Sequence, residues 1–261
     1  MTFLVTPEVV SELADHKRFS QFGLDREDFE GLLGPGESVP YREFLSRLFE
    51  LYGKIREKRL VGNKTAPFVR LIQELHSPWP EAKFVYIVRD VCLSILEWES
   101  AEAAGRYTAW EVDPISITAL WWQRKVLLGR EGGGPLGLYH EVRYKSLISD
   151  PAKECERLCG FLGVPYDGAM TRLDERRGGK DLERSHPTMP ITAGLRDWRS
   201  QMPRESVERF EAAAGDLLEE LGYPLATSPK PGAMEHAARM REYFARDASS
   251  RGKRLPTGWE A

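Results

Sequence analysis

The chain has 261 residues, 41% hydrophobic and 30% charged, with a formal net charge of −3. That length buries a sizeable core in one α/β domain or two small ones, and the charge argues against bulk binding of nucleic acid or an anionic membrane surface. Three cysteines, with Cys155 and Cys159 one helical turn apart and Cys92 remote, offer neither a CxxC metal spacing nor a disulfide framework, which suggests a reducing cytoplasm.

Thr6-Pro7-Glu8 has the pattern of an N-cap, a first-turn proline and an acidic first turn, leading into a short helix with Val9, Val10 and Leu13. The opening MTFLVTPEVV lacks a basic n-region and carries too short an apolar run for a signal peptide, and no segment approaches a membrane span. Asp25 is placed to cap a second helix around Phe29, Leu32 and Leu33. From Pro40, Tyr41, Phe44, Leu45, Leu48, Phe49, Tyr52 and Ile55 recur at helical spacing. RLVGNKTAP then predicts a short strand or turn, followed by a helix with Phe68, Leu71, Ile72 and Leu75 on one face.

Phe84 to Val88 is an apolar run that reads as a buried strand, and it meets Arg89 and Asp90 without a spacer. Helices are predicted from about Val91 to Ala103 and from Pro114 to about Gly129, the second carrying Trp121 and Trp122. Leu138 to Tyr144 alternates as a strand. Asp150-Pro151 opens a helix to Leu162, with Gly163 at its C′ position. Residues 173–186 form a highly charged loop. A helix from Pro203 to Leu221 turns Phe210, Ala213, Leu217, Leu218 and Leu221 inward, and Gly222 stops it. Residues 1–225 are thus expected to form the main domain. Residues 226–261 would be an appendage of linker, one amphipathic helix (Met234 to Arg246) and tail. Few strands between long helices imply a parallel sheet with helical covers, whose ligands bind beyond the carboxyl ends of the strands.

Arg89 stands at such an end. A guanidinium there, the free N–H groups of residues 91–93 at a helix start, and the Ser94 hydroxyl would together seat a phosphate. From local sequence a second reading stays open: Arg89 pairs with a neighbouring carboxylate and Asp90 only caps the helix.

The wider pattern resembles the PAPS-dependent sulfotransferases, with a bacterial-type look. GNKTAPFVRLIQELHSPWPEAKFVYIVRDVCLSILEW is similar to their GDKTP motif, helix and IVRDPRDVxLS segment. YHEVRYKSLISDPAKECERLCGFLGVPYD is similar to their RYEDL region, and AGLRDWRSQMPRESVERFEAAAGDLLEELGYP to their C-terminal stretch. The ordered segments cover most of residues 6–225. The resemblance implies an α/β, three-layer, P-loop-like fold with a parallel sheet and helix-rich covers. It implies transfer of a sulfonate from 3′-phosphoadenosine 5′-phosphosulfate (PAPS) to a hydroxyl or amine of a small-molecule acceptor, with no metal. Arg89 matches the arginine that binds the donor's 3′-phosphate, and Ser94 its serine partner. Lys64 matches the lysine near the transferred group, where a cation would stabilise charge developing on the leaving oxygen. Tyr144 matches a tyrosine on the nucleotide side; Arg196 and Trp198 fall in the loop that closes over the nucleotide. His186, in the charged loop, is a further candidate for a general base, although an exposed loop histidine is the account to prefer.

Three departures accompany the resemblance. The family's first strand and PRSGTT-like 5′-phosphosulfate loop have no counterpart here, so the sequence reads as N-terminally truncated, with Met1 where an acidic residue often lies. RDVCLS brings Arg89 and Ser94 closer in sequence than the family motif does. Asn63 replaces an acidic residue beside Lys64, and an alanine is inserted after Thr65. Weak or absent transfer, and weak nucleotide binding, are the expected result. The alternative is a non-catalytic relic, or a nucleotide-binding or interaction module, retaining the fold. A helical interaction protein without a nucleotide site would leave the strand-arginine-helix unit unexplained. Residues 20–58 and 100–118 are candidates for the acceptor pocket, with Phe22, Phe29, Trp98, Tyr107 and Trp110 as its aromatics. The acceptor itself, and the oligomeric state, are not legible.

Overall fold

The computed structural model describes residues 3–89, 112–172 and 202–259. The predicted helix from Val91 to Ala103 and the charged loop 173–186 lie outside them. The chain divides into two compact units, Met1–Ala66 and Pro67–Ala261.

In the first unit, β1 (Leu4–Val5) pairs antiparallel with β2 (Val39–Pro40), and three helices follow the predicted order: α1 (Pro7–Asp15), α2 (Arg26–Glu30) and α3 (Tyr41–Ile55). Pro7 occupies the first turn of α1, where its missing N–H costs nothing. Val5, Val10, Phe29, Val39, Phe44 and Leu48 form the core, with Phe29 edge-on to Phe44 at 5.9 Å between centroids. Phe29 is therefore core packing rather than acceptor lining. Tyr41 and Ile55, at the two ends of the apolar stripe on α3, are exposed because the core they would face is only as long as the middle of that helix. Arg47 ties the unit's loop to α3 through Glu37 at 2.8 Å and Glu43 at 2.7 Å.

The second unit opens differently from expectation. Residues 66–70 form a 3-10 turn and Ile72–His76 a short α4, so that Val69 and Ile72 point inward while Leu71 is 40% exposed. The backbone leaves helical angles at Leu71, which resets the face. β3 (Phe84–Val88) then pairs in parallel with β4 (Tyr139–Arg143), from Phe84 opposite Tyr139 to Val88 opposite Arg143. Val88 is buried and Tyr86 packs on the core, while the alternate residues Val85 and Ile87 are exposed among the described residues. The run is thus half-buried, as the two-residue period of a strand requires when described elements pack on one face alone.

The crossover from β3 to β4 contains α5 (Pro114–Gly133), four residues longer than the spacing indicated and buried on almost every side. Its start is held by Asp113, whose Oδ1 accepts from the N–H groups of Ile115 and Ser116 and whose Oδ2 accepts from the Ser116 hydroxyl at 2.7 Å. The His236 ring nitrogen Nε2 lies 2.7 Å from the same Oδ2. Burial pushes the Asp113 carboxyl up, but the hydrogen bonds from Ser116 and His236 outweigh it and hold the group below its usual range. At its other end α5 touches β4 closely: a Cβ on Gly133 would lie 2.5 Å from Cβ of Tyr139, and one on Gly129 2.7 Å from the Tyr139 hydroxyl. Arg130 between them forks onto Glu141 at 2.8 and 3.0 Å and reaches Glu220 at 2.7 Å.

After β4 come α6 (Tyr144–Ser149), α7 (Pro151–Leu162), α8 (Arg204–Glu220) and α9 (Pro231–Ser250). Asp150 caps α7 by accepting from Lys153 N–H, and Gly163 closes it in the left-handed region at φ 75°. Phe210, Ala213, Leu217, Leu218 and Leu221 are all buried, in the arrangement the spacing predicts. The segment read as an appendage belongs to this core: Ala237 and Phe244 of α9, and Trp259 beyond it, pack with Trp122 and Phe210. The linker itself is held by the buried Glu211 carboxylate, which accepts from Ala226 N–H and Thr227 N–H. Among the described residues no helix is long and apolar enough to cross a membrane.

Gly133→Ala is expected to destabilise the protein by about 2 kcal/mol or more by forcing α5 from β4. Gly134→Ala, with open space around its Cβ, should be neutral or slightly stabilising; urea unfolding of the two variants separates them. Asp113→Ala should cost about 1–2 kcal/mol at neutral pH. Because the folded pKa is depressed, the ionised group's contribution is present above its ordinary value of 3.8 and is lost as pH falls through the folded value. The gap between wild type and variant should therefore close in acid.

Candidate functional site

The register of the parallel pair decides what stands at its carboxyl end. Val88 and Arg143 are opposite one another as the last paired residues, so the next residue of each strand, Arg89 and Tyr144, emerges side by side. The Arg89 guanidinium carbon lies 4.9 Å from the Tyr144 ring centroid, a cation–π distance. Tyr144 is the first residue of α6 rather than the last of β4, and the short helix turns its half-buried ring toward Arg89. The Arg89 backbone is also fixed: its carbonyl accepts from the indole N–H of the buried Trp122, on α5, at 3.0 Å.

Among the described residues the Arg89 side chain is exposed and makes no hydrogen bond or ion pair. The bland reading, a guanidinium locked on a neighbouring carboxylate, finds no such carboxylate among them. Two further exposed cations stand in the same turn: Arg143, beside Gly222, and Lys145, whose Nζ is 5.6 Å from the Tyr223 ring centroid. Three cations and an aromatic face at the exit of a parallel pair can hold an anionic, ring-bearing ligand. Farther back along the pair, toward its amino end, burial with the Glu141 carboxylate adding to it pushes the Tyr86 hydroxyl up to about 12 and the Tyr139 hydroxyl further up, so both stay protonated.

The structure therefore brings Arg89 and Tyr144 together. Lys64 belongs to the first unit, where it is exposed in an irregular segment; beside it the Thr65 hydroxyl donates to Asn63 Oδ1 at 2.6 Å, so the residue that replaces the family's acid braces the turn. Ser94, Arg196 and Trp198 lie outside the described residues, as do His186, Trp98, Tyr107 and Trp110. Sequence reading missed Trp122 as the support of Arg89, because a hydrogen bond spanning 33 residues leaves no local signature. It also missed Lys145 and Arg143, although the basic flanks of Tyr144 in RYK were visible.

A parallel strand pair with a helical crossover and exposed cations at its exit defines an α/β protein with a cationic strand end. The family model for the sulfotransferase family matches residues 2–168, and the chain belongs to that family, with its α/β fold. It is 32% identical to human (Homo sapiens) carbohydrate sulfotransferase 1 over 96 residues, which is 35% of this chain and 23% of the human protein. It is 28% identical to a putative protein-tyrosine sulfotransferase of Caenorhabditis elegans over 174 residues, 63% of this chain and 64% of that one. The chain thus spans less than two thirds of either relative. A sulfotransferase domain from the curacin biosynthetic pathway aligns over 95% of this chain and 80% of its own, at 16% identity and a TM-score of 0.45.

Trp122→Phe removes the donor to the Arg89 carbonyl and part of a buried ring. The expected loss is about 2 kcal/mol of stability, measured by urea unfolding, together with faster amide exchange in β3. Unchanged exchange there would show that the indole does not hold the strand exit.

Proposed function

We propose that the protein transfers a sulfonate group from PAPS to an acceptor hydroxyl or amine, and that Arg89 and Tyr144 bind the donor nucleotide. The observation that carries this reading is the Arg89–Tyr144 pair at the carboxyl ends of β3 and β4. A guanidinium that meets no anion among the described residues is suited to the donor's 3′-phosphate, which it would take in a forked pair of charge-assisted hydrogen bonds. Its contact with the Tyr144 ring keeps it aimed while leaving its N–H groups available, and Arg143 and Lys145 add positive potential for the approach of a polyanion. In this reading Ser94, Arg196 and Trp198 complete the nucleotide site. Lys64 stabilises the charge that develops on the oxygen bridging phosphorus and sulfur as the sulfonate leaves. The acceptor hydroxyl attacks sulfur and gives up its proton to a base.

The two named relatives act, by their names, on carbohydrates and on tyrosine, and both present hydroxyls. A hydroxyl acceptor, small-molecule or carbohydrate, is therefore favoured over an amine for this chain, working in the cytoplasm. The reading as a binding module that merely keeps the fold has no observation of its own in its favour.

Calorimetric titration with 3′-phosphoadenosine 5′-phosphate tests the proposal. Arg89→Ala should weaken binding by about 10- to 100-fold, the value of a charge-assisted pair. Tyr144→Ala should weaken it less, by about threefold to tenfold, through loss of the aimed guanidinium. Equal affinity in Arg89→Ala and wild type would overturn the assignment.

A further inference from the structure

A cavity of about 420 Å³ lies between α8, α9 and the tail that follows α9, all within the second unit. Small side chains leave it open. Ala213 and Gly215 on α8 line it, as do Ala237 and Ala245 on α9, and all four are buried. Trp259 adds an aromatic wall. The volume and the mostly apolar walls are those of a small-molecule site.

Three charged side chains also line the cavity: Arg241 and Glu242 on α9 and Asp216 on α8. The α8 backbone leaves helical angles at Ala214, with φ −137° and ψ 15°, the kind of break that a side chain can enter. Beside it the Ala213 carbonyl accepts from Nη2 of Arg241 at 3.3 Å, and Gln123 Oε1 accepts from the same nitrogen at 3.5 Å. The guanidinium carbon lies 5.1 Å from the Trp259 ring centroid. Arg241 is thus held by neutral groups and an aromatic face. Among the described residues it makes no ion pair, and its other N–H donors, of the five that a guanidinium carries, are unspent. Asp216 and Glu242 are exposed, and among the described residues neither makes a hydrogen bond or an ion pair. The further carboxylate of the lining, Glu211, is engaged by the Ala226 and Thr227 amides.

The cavity therefore offers one aimed cation, two unpaired carboxylates and an apolar wall. A simple anion would meet the guanidinium together with two like charges. A simple cation would meet the carboxylates and leave the guanidinium facing it. A small molecule that carries both charges, with an apolar body beside them, complements the whole set.

We propose that this cavity binds a free α-amino acid with an apolar side chain. Arg241 takes the carboxylate in charge-assisted hydrogen bonds, Asp216 and Glu242 take the ammonium, and the side chain lies against Trp259 and the alanines. The site uses none of the residues assigned to the nucleotide. Its walls belong to α8 and α9, so the ligand also ties the last helix to the core.

The test is calorimetric titration of the full chain with L-phenylalanine and L-leucine, and with phenylpropionate and phenethylamine, which keep one charge of phenylalanine each. Saturable binding of at least one amino acid is expected, with phenylalanine about tenfold or more tighter than either of its analogues. Arg241→Gln should weaken amino-acid binding by about tenfold or more and Glu242→Gln by about threefold to tenfold. Ala238→Phe, at an exposed position of the lining, should fill the cavity and abolish binding, and Arg89→Ala should leave it unchanged. The bound amino acid should raise the unfolding temperature of wild type but not of Ala238→Phe. Should Arg241→Gln fail to fold, Ala238→Phe decides. Absence of saturable binding by both amino acids, an analogue that binds as tightly as phenylalanine, or wild-type affinity in Ala238→Phe or Arg241→Gln would each overturn the proposal, as would loss of binding in Arg89→Ala.

Discussion

Two parallel strands cannot be joined by a tight turn, so the chain between them must travel back along the sheet before the second strand begins. In this protein that requirement sets nearly everything at the candidate site. The return path contains α5, and α5 must lie close enough to the sheet for β4 to pair along its whole length with β3. Glycines at 129 and 133 allow that approach, and Arg130 secures it through Glu141. Once the pair is in register, the two strands end together, and the residues that follow them have no choice but to be neighbours.

The consequence for chemistry is preorganisation. Arg89 is held at its carbonyl by Trp122 and at its guanidinium by the face of Tyr144. Neither contact consumes the N–H groups that an anion would need. An exposed cation–π contact is worth only about 0.5–1 kcal/mol, too little to define the fold. It is enough to narrow the rotamers of a long side chain whose disorder a ligand would otherwise have to overcome. The protein thus spends its strong interactions, the buried core around Trp122 and Phe210 and the Arg130–Glu141 fork, on placing the strand ends, and leaves a weak one to aim the side chain.

What the sequence disclosed follows from how local each signal is. Helices α1, α3, α7 and α8 carry their apolar period within themselves and stand where it puts them; of the expected capping residues Asp150 accepts from its helix, whereas Thr6 and Asp25 make no side-chain capping bond. The stretch after Lys64 misled because its apolar residues suit a helical face, whereas the backbone breaks at Leu71 and selects Val69 and Ile72 instead. Arg89 was legible as a cation at a strand exit, since the change of period there is abrupt. Its partner was legible only through resemblance, because contact between Arg89 and Tyr144 depends on a register that no short window contains. Asp113 went unread for a similar reason. A capping aspartate is ordinary, and its link to His236 crosses more than a hundred residues of chain.

The packing of α9 bears on how the molecule is made. The region matched by the family model stops at residue 168, yet the hydrophobic layer over Trp122 and Phe210 is finished by Phe244 and Trp259. A ribosome delivers the chain from its amino end, and domains close as units once their parts are available. The strand pair and its crossover helix must therefore wait, with apolar surface showing, until Phe244 and Trp259 have emerged. Between synthesis of β4 and emergence of Trp259, the layer over Trp122 and Phe210 lacks part of its cover.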